Sequence, residues 1–358
     1  MPQDLPGPPP EPVTVSVVVP VYRGAETIAA VTASVAALRD PMMTPAGRAF
    51  RVAELVLVWD HGPDASDEVL LAISEENPWV RVLWLSRNFG QHAATVAGMA
   101  ATGGDWIVTM DEDGQHDPSH IGVLLDAAYD NRSQLVYAAP SNRPPHSAIR
   151  NLGSSLAKTL FLRVLSGRSA VPFHSFRLIA GDAGRAVAAF CGPGVYLDVA
   201  LSWVISDVST VEVPMRPEGR AARSYGFRAL LSHFWRLVLS SGNRPLRIVS
   251  TAGVVCSAAG ILYAAWLVIG RLRGFPEVSG WTSLMVALLL IGGLILIALG
   301  IIAEYVGLAA TMSMGKPSYV ALDAPQHRFG PRLAPSAPEE ASPSTSQPSG
   351  AAEPAPSQ

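Results

Sequence analysis

From Ile248 to Gly270 no residue carries a formal charge, and the same holds from Trp281 to Ala303. Each run is long enough to cross the ~30 Å hydrocarbon layer of a bilayer as a helix. Burying both inside a soluble protein would need a large surrounding domain, which the remaining C-terminal sequence cannot supply. Both runs therefore read as transmembrane helices. The connector "RLRGFPEVSG" (Arg271 to Gly280) is short and holds Gly274 and Pro276, so the two form a hairpin that leaves both chain ends on one side. Composition agrees: 49% of residues are hydrophobic, 15% are charged and the mean hydropathy is +0.27, high for a chain wholly in water. Arg228, Arg236, Arg244 and Arg247 precede the first run, against Arg271 and Arg273 in the connector. That bias predicts a multi-pass protein of the cell membrane with its body and both termini in the cytoplasm. The opening "MPQDLPGPPPEP" has no apolar stretch of the kind a signal peptide needs. Cys191 and Cys256 do not make a disulfide framework, since the second lies in a predicted membrane helix. A net charge of −3 argues against nucleic acid as a partner and leaves room for a homo-oligomer.

The rest of the chain divides simply. A Pro-rich arm, residues 1–12, is expected to be disordered. Apolar runs then alternate with helical patterns: "TVSVVVP", "VAELVLVW", "VRVLWL", "DWIVTM" and "QLVYAA" read as strands, separated by segments such as "AETIAAVTASVAAL" and "QHAATVAGMAA". This alternation predicts an α/β fold with a mainly parallel sheet covered by helices on both faces. Pro140 to Leu246 is richer in Arg and Ser, mixes helices with one further strand, "VSTVEVP", and should lie between sheet and membrane. The expected divisions are a catalytic domain over 13–228, an amphipathic interface segment over 229–247, the two spans at 248–270 and 281–303, and a juxtamembrane segment at 304–323. The Pro/Ser/Ala-rich tail, 324–358, cannot assemble a core and is expected to be disordered.

One strand ends in an unusual way. In "WIVTMDEDGQHDPSH" (Trp106 to His120) an apolar run stops abruptly in Asp111, Glu112, Asp113 and Asp117, with His116 and His120 close behind. In parallel α/β sheets ligands bind beyond the carboxyl ends of the strands. A calcium loop of the EF-hand type fails, because the position that needs Gly holds His116 and the closing Glu is Gly122. Zinc on His116 and His120 lacks a third nitrogen or thiolate nearby. Hard carboxylate oxygens point to Mg²⁺ or Mn²⁺ on Asp111 and Asp113, with substrate phosphates and water completing the shell. The plain alternative is a solvated acidic turn. His92 and His116 stand where they would touch donor phosphates or merely satisfy a loop.

Several stretches in order resemble the family-2 glycosyltransferases of the GT-A fold, and among them the membrane-anchored polyprenyl-phosphate sugar transferases. "VSVVVPVYRGAETI" is similar to the family's first strand and nucleotide-binding turn, with Pro20 and Tyr22 in place. "LVWDHGPDAS" resembles its "DDGSxD" turn, with Asp60 and Asp64 matching; "LSRNFGQHAATVAGM" resembles the segment before the metal motif and "MDEDGQHDP" the metal motif itself. "SFRL", "VYLDVALSW", "RPEGR", "RSYGFRALL", "RPLRIVSTAG", "EYVG" and "KPSYV" follow in the family's order. The likeness spans about Val13 to Val320. It implies a Rossmann-like GT-A domain carrying a C-terminal transmembrane hairpin. The activity it implies is transfer of a single sugar, with inversion, from a UDP or GDP donor to a polyprenyl monophosphate in the bilayer.

Carried over residue by residue, the resemblance gives nucleotide-sugar contacts to Pro20, Tyr22, Asp60, Arg87, Asn88 and Asp111, and the metal to Asp111 and Asp113 with Gln115 beside it. Acceptor-phosphate contacts fall to Arg143, Arg150, Ser175, Arg177, Arg216 and Arg220, since the planar guanidinium fork grips phosphate with two hydrogen bonds. Asp198 is expected either as an acid/base group or as a carboxylate that orients an Arg. The chain departs from the pattern at Arg23-Gly24, where Asn-Glu is usual, and at Trp59, His61 and Gly62 in the second turn. Two other readings share the fold: a processive polysaccharide synthase, whose downstream Gln-x-x-Arg-Trp segment is absent here, and a catalytically degenerate nucleotide-binding relative.

Overall fold

The computed structural model describes residues 11–142, 173–216, 244–273 and 280–324. Arg143, Arg150 and Arg220, nearly all of the N-terminal arm and the tail, and most of the interface segment lie outside the described residues.

Strand β1 (Val13–Val21) sits at the centre because its sequence suits no other place. Seven consecutive residues from Val15 are buried, so neither face meets water, and a run of valines tolerates that where an alternating strand would not. It pairs in parallel with β3 (Ala49–Trp59) on one side and β5 (Trp106–Thr109) on the other. The sheet continues from β3 to β4 (Val80–Leu85), again parallel, and the two-residue β2 (Met42–Met43) adds antiparallel to the start of β3. Beyond β5 come β7 (Arg177–Ala180), antiparallel, then β6 (Leu135–Pro140) and β8 (Val208–Val213). The order is β8-β6-β7-β5-β1-β3-β4-β9, where β9 is Ala321–Leu322. Following the pairings across the nine strands, β1, β3, β4, β5, β6 and β8 run one way and β2, β7 and β9 the other, which makes the sheet mixed but mainly parallel.

Helices cover both faces. Val18, Val56, Val58, Ile107, Leu135 and Ile179 face α3 (Gln91–Ala100), α5 (Gly181–Phe190) and α6 (Leu197–Val204), which supply Ala94, Ala97, Met99, Val187, Leu197 and Leu201 to one core. Gly98 lets α3 approach closely, since a Cβ there would stand 2.3 Å from a Val18 methyl. The opposite layer consists of α1 (Ile28–Ala36), α2 (Ser66–Glu76) and α4 (Ile121–Asp130), which meet β3, β4 and β6. The five strands expected from Val13 to Ala139 are all present, as is "VSTVEVP". Among its described residues the region from Pro140 to Leu246 holds two strands rather than the one expected, because "RLIA" (β7) enters the sheet between β5 and β6.

Two long helices follow, α7 (Arg244–Leu272) and α8 (Trp281–Ser313). Their positions match the two uncharged runs, but α8 continues ten residues past Ala303, so the expected juxtamembrane segment is partly helix and partly strand. Within α8, Leu290–Ser313 is long and apolar enough to cross a membrane, with a mean hydropathy of 2.2. After α8 the chain returns to the sheet. The Val320 carbonyl accepts from the Ser86 amide at 2.9 Å, and β9 pairs antiparallel with β4.

Candidate active site

The carboxyl ends of β1, β3 and β5 converge, and β1 lies where successive connections leave to opposite sides, the position at which open α/β sheets bind ligands. A cleft of about 350 Å³ opens there, lined by Pro20, Tyr22, Asp60, Asn88, Gly90, Gln91 and the Asp111–Asp113 run. A second cleft of about 230 Å³ adjoins it, lined by His92, Phe173, His174, Ser175, Arg177, Tyr196 and Asp198. Gln91 and Asp111 belong to both.

Asp111 is held from two sides by neutral donors. Gln91 Nε2 donates to Oδ1 and Ser175 Oγ to Oδ2, each at 2.6 Å. Its backbone amide donates to His116 Nδ1 at 3.0 Å, which fixes that nitrogen as the acceptor; the imidazole is buried and stacks on Phe176 with centroids 5.0 Å apart. His116 thus supports the strand end. Asp113 Oδ1 accepts the Gln115 amide at 3.0 Å, a tight turn that Gly114 permits with φ +77. Gln115, expected beside the metal, meets Asp113 through its backbone.

Glu112, unassigned by sequence reasoning, turns the other way. Its carboxylate accepts the amides of Tyr22 at 2.8 Å and Arg23 at 3.0 Å, and so ties the β1 turn to the acidic run. Only the alternation of side chains along Asp111-Glu112-Asp113 hinted at this division. The departures in the second turn also find their reasons. His61 takes the left-handed conformation, φ +52, that glycine normally fills in the family's turn, and its ring lies 4.7 Å from Trp59. At Gly62 a Cβ would fall 1.7 Å from the Tyr22 carbonyl oxygen, which excludes the usual Ser. Asp60 is 3% exposed and receives the Phe89 and Gly90 amides at 2.7 and 2.8 Å. Burial raises its pKa, and those two amides oppose the rise. Asp60 therefore braces the 88–90 wall of the cleft. Arg87 lies over the Phe89 ring at 4.0 Å, and Asn88 is the neighbour that faces the cleft.

The second cleft ends in a buried charged group. Arg177 and Asp198 are each 3% exposed; Arg177 Nη1 donates to Asp198 Oδ1, which also accepts Tyr137 Oη at 2.8 Å. Arg177 Nε donates to Thr109 Oγ1 at 3.0 Å. Burial pulls the guanidinium pKa down, but the Asp198 charge and hydrogen bond, together with Tyr137 and Tyr196, outweigh it and leave the net shift upward, and burial together with the Asp198 charge pushes the Tyr137 phenol well up. Of the two roles expected for Asp198, the geometry is that of the carboxylate orienting an Arg. His92 lies tilted against Tyr196, centroids 3.9 Å apart and 52° between planes. Ser175, expected at the acceptor phosphate, instead donates to Asp111.

Arg216 lies beside the acidic loop and lines neither cleft. Its amide donates to the Gln115 carbonyl at 2.9 Å, and its guanidinium pairs with Asp117, Nη2 to Oδ2 at 2.7 Å. Burial raises the Asp117 pKa, but the Ser119 hydrogen bonds and Arg216 outweigh it and leave the net shift downward. Asn142 exchanges two side-chain hydrogen bonds with the Met215 backbone, at 2.7 and 2.8 Å, so two separate stretches of chain meet beside the acidic loop.

Residues 16–181 match the model described as Glycosyl transferase family 2, and residues 244–308 match the GtrB C-terminal hairpin. The bactoprenol glucosyl transferase of Shigella phage SfV is 27% identical over 311 residues, covering 86% of this chain and 97% of its own. The prophage bactoprenol glucosyl transferase homolog of Escherichia coli K12 is 26% identical over 310 residues, covering 86% and 97%. Among solved structures, mannosyl-3-phosphoglycerate synthase from Rubrobacter xylanophilus overlays 66% of this chain and 74% of its own, with a TM-score of 0.47 and 16% identity.

Proposed function

We propose that this chain, a glycosyltransferase whose residues 16–181 match the family-2 model and whose residues 244–308 match the GtrB C-terminal hairpin, moves one sugar from a nucleoside-diphosphate donor, UDP- or GDP-linked, onto a polyprenyl monophosphate, with inversion. The acceptor class follows the relatives, which act on bactoprenol. The observation that carries the reading is Asp111 standing as the common wall of two clefts. In this account the nucleotide lies against Pro20, Tyr22 and Asn88, and the sugar reaches past Asp111 toward the second cleft.

Mg²⁺ or Mn²⁺ fits the residues present: Asp111 and Asp113 share one cleft wall, and Asp111 accepts side-chain hydrogen bonds from the neutral donors Gln91 and Ser175. An ion held by these two carboxylates would take the rest of its shell from substrate phosphates and water. When bound, it would supply Lewis-acid stabilisation to the departing diphosphate.

The acceptor needs little help from a protein base, because a phosphate monoester is already anionic near neutral pH, its second pKa being about 6. Positioning should dominate instead. Arg177, oriented by Asp198, and Arg216 are the described cations on this side. The stretches carrying Arg143, Arg150 and Arg220 begin directly after the Asn142–Met215 junction. The account places both hairpin helices across the membrane, with the catalytic body and termini in the cytoplasm.

The test uses the full-length protein in liposomes with polyprenyl phosphate and radiolabelled UDP- or GDP-sugars, followed by organic extraction. Label should enter the lipid fraction, and Asp113→Ala or EDTA should abolish it. Persistence in EDTA removes the metal; label in an insoluble polymer makes the enzyme a processive synthase.

A further inference from the structure

Three large apolar side chains lie exposed where α5 and α6 end: Phe190 at 48%, Trp203 at 55% and Val204 at 45%. The Phe190 and Trp203 rings stack, centroids 6.4 Å apart and 21° between planes, so the two helices present one joint aromatic surface. A lone exposed apolar residue needs no explanation, but a contiguous aromatic patch marks a contact. The same helices bury Val187, Ala188, Leu197, Ala200 and Leu201 in the core, so the outward aromatics are not displaced core residues.

The location of the patch identifies what covers it. Gly192, two residues past Phe190, lies against α8: a Cβ there would stand 3.3 Å from Met312 Cε, and one on Gly194 would stand 3.5 Å from a Leu308 methyl. The Cys191 carbonyl, just before Gly192, accepts Ser318 Oγ at 2.7 Å. The loop that follows the patch therefore rests on the last two turns of Leu290–Ser313, the segment apolar enough to cross a membrane. Lys316 follows that segment at once. With Leu290–Ser313 as the span, its C-terminal end is the level at which hydrocarbon gives way to headgroups, where Trp with its apolar body and polar N–H is favoured and basic residues anchor.

We infer that Phe190, Trp203 and Val204 form a membrane-docking surface seated in the headgroup–acyl boundary of the leaflet from which α8 emerges. The inference rests on the reading of α8 as a membrane span. A patch attached to the side of that helix restrains the catalytic body from swinging about it, and so sets the height and tilt of the two clefts above the lipid surface.

Nitroxide labels test this on the full chain in phosphatidylethanolamine–phosphatidylglycerol vesicles, in a Cys256→Ser background with Cys191 left buried. Phe190→Cys and Trp203→Cys are two independent label sites, with Leu296→Cys on α8 as the lipid reference and Glu75→Cys on α2 as the water reference. Both patch labels should collide with oxygen several-fold more, and with a water-soluble nickel chelate several-fold less, than the label at Glu75. Water-like values at both patch sites with lipid-like values at Leu296 overturn the docking surface and leave the span intact. Water-like values at Leu296 remove the span and the docking surface with it. Shielding from both reagents with spin–spin broadening assigns the patch to a second copy of the chain and overturns the inference.

Discussion

Replacing Asp198 by Ala should cost more stability than its distance from the acidic loop suggests. Arg177 and Asp198 are each 3% exposed, and without Asp198 the guanidinium keeps neutral partners, the Thr109 and Tyr137 hydroxyls, but no counter-charge in the pair. Removing the carboxylate leaves a buried cation uncompensated, a loss of about 3–5 kcal/mol. The Tyr137 hydroxyl loses its acceptor in the same step, so the two effects belong to one unit and do not add. At ~2–4 °C per kcal/mol for a domain of this size, the melting temperature should fall by about 6–20 °C. The double variant Arg177→Met/Asp198→Leu removes both charges and should recover most of the loss, because apolar groups of similar volume often replace a buried pair at little cost. Sugar transfer should stay low in the double variant, since the second cleft has lost its cation. Intrinsic tryptophan fluorescence of the full-length protein in detergent gives the melting curve, and lipid extraction gives transfer. A shift under about 2 °C for Asp198→Ala refutes the buried-pair argument. Recovery of transfer along with stability in the double variant refutes the role of Arg177.

Glu112→Gln keeps the shape of the clamp on the Tyr22 and Arg23 amides but loses its charge. Donor KM should rise about tenfold with the metal dependence unchanged, as titration kinetics with the nucleotide sugar would show. Ending the chain after Gly315 removes β9 and the Val320 contact that brace the 86–90 wall, while leaving α8 complete. Nucleotide affinity by calorimetry should fall although no deleted residue lines either cleft, and unchanged affinity would show that the strap is dispensable. Asp105 accepts the Thr14 hydroxyl and amide, which together hold its pKa below the ordinary 3.8. A depressed carboxylate stabilises the fold above its unfolded pKa and loses that contribution as pH falls from about 3.8 through the lower folded value. Asp105→Asn should therefore flatten the acid limb of stability below pH 4, and an unchanged limb in acid melts would contradict the assignment.

Much of this molecule is legible in its sequence because its central strands are long, β-branched and bounded by turn residues. Val13–Val21 and Ala49–Trp59 announce themselves, and the carboxylates that end β5 announce the site. Four-residue β7 was hidden because Arg177 breaks its apolar run. What makes an Arg tolerable there is Asp198, twenty-one residues on, a compensation visible only in three dimensions. Strand β9 was hidden for another reason: two residues carry no period, and the pairing depends on α8 returning the chain to the edge of β4. Within the acidic run the sequence offered carboxylates but not their directions. Asp111 points to Gln91 and Ser175, Glu112 to the β1 turn, and Asp117 to Arg216. The apparent defects at His61 and Gly62 prove consistent with the turn they occupy, one by adopting its left-handed backbone and the other by clearing the Tyr22 carbonyl.

The central claim is that one sugar is placed on a polyprenyl monophosphate, and mass spectrometry of lipids from membranes with and without the protein tests it most directly. The account predicts a new glycolipid whose mass is that of a polyprenol, a single phosphate and a single sugar, absent when Asp113 is replaced by Ala. A lipid carrying two phosphates would mean that a phosphosugar rather than a sugar is transferred. A ladder of sugars, or no new lipid in membranes that hold the folded protein, would contradict the account outright.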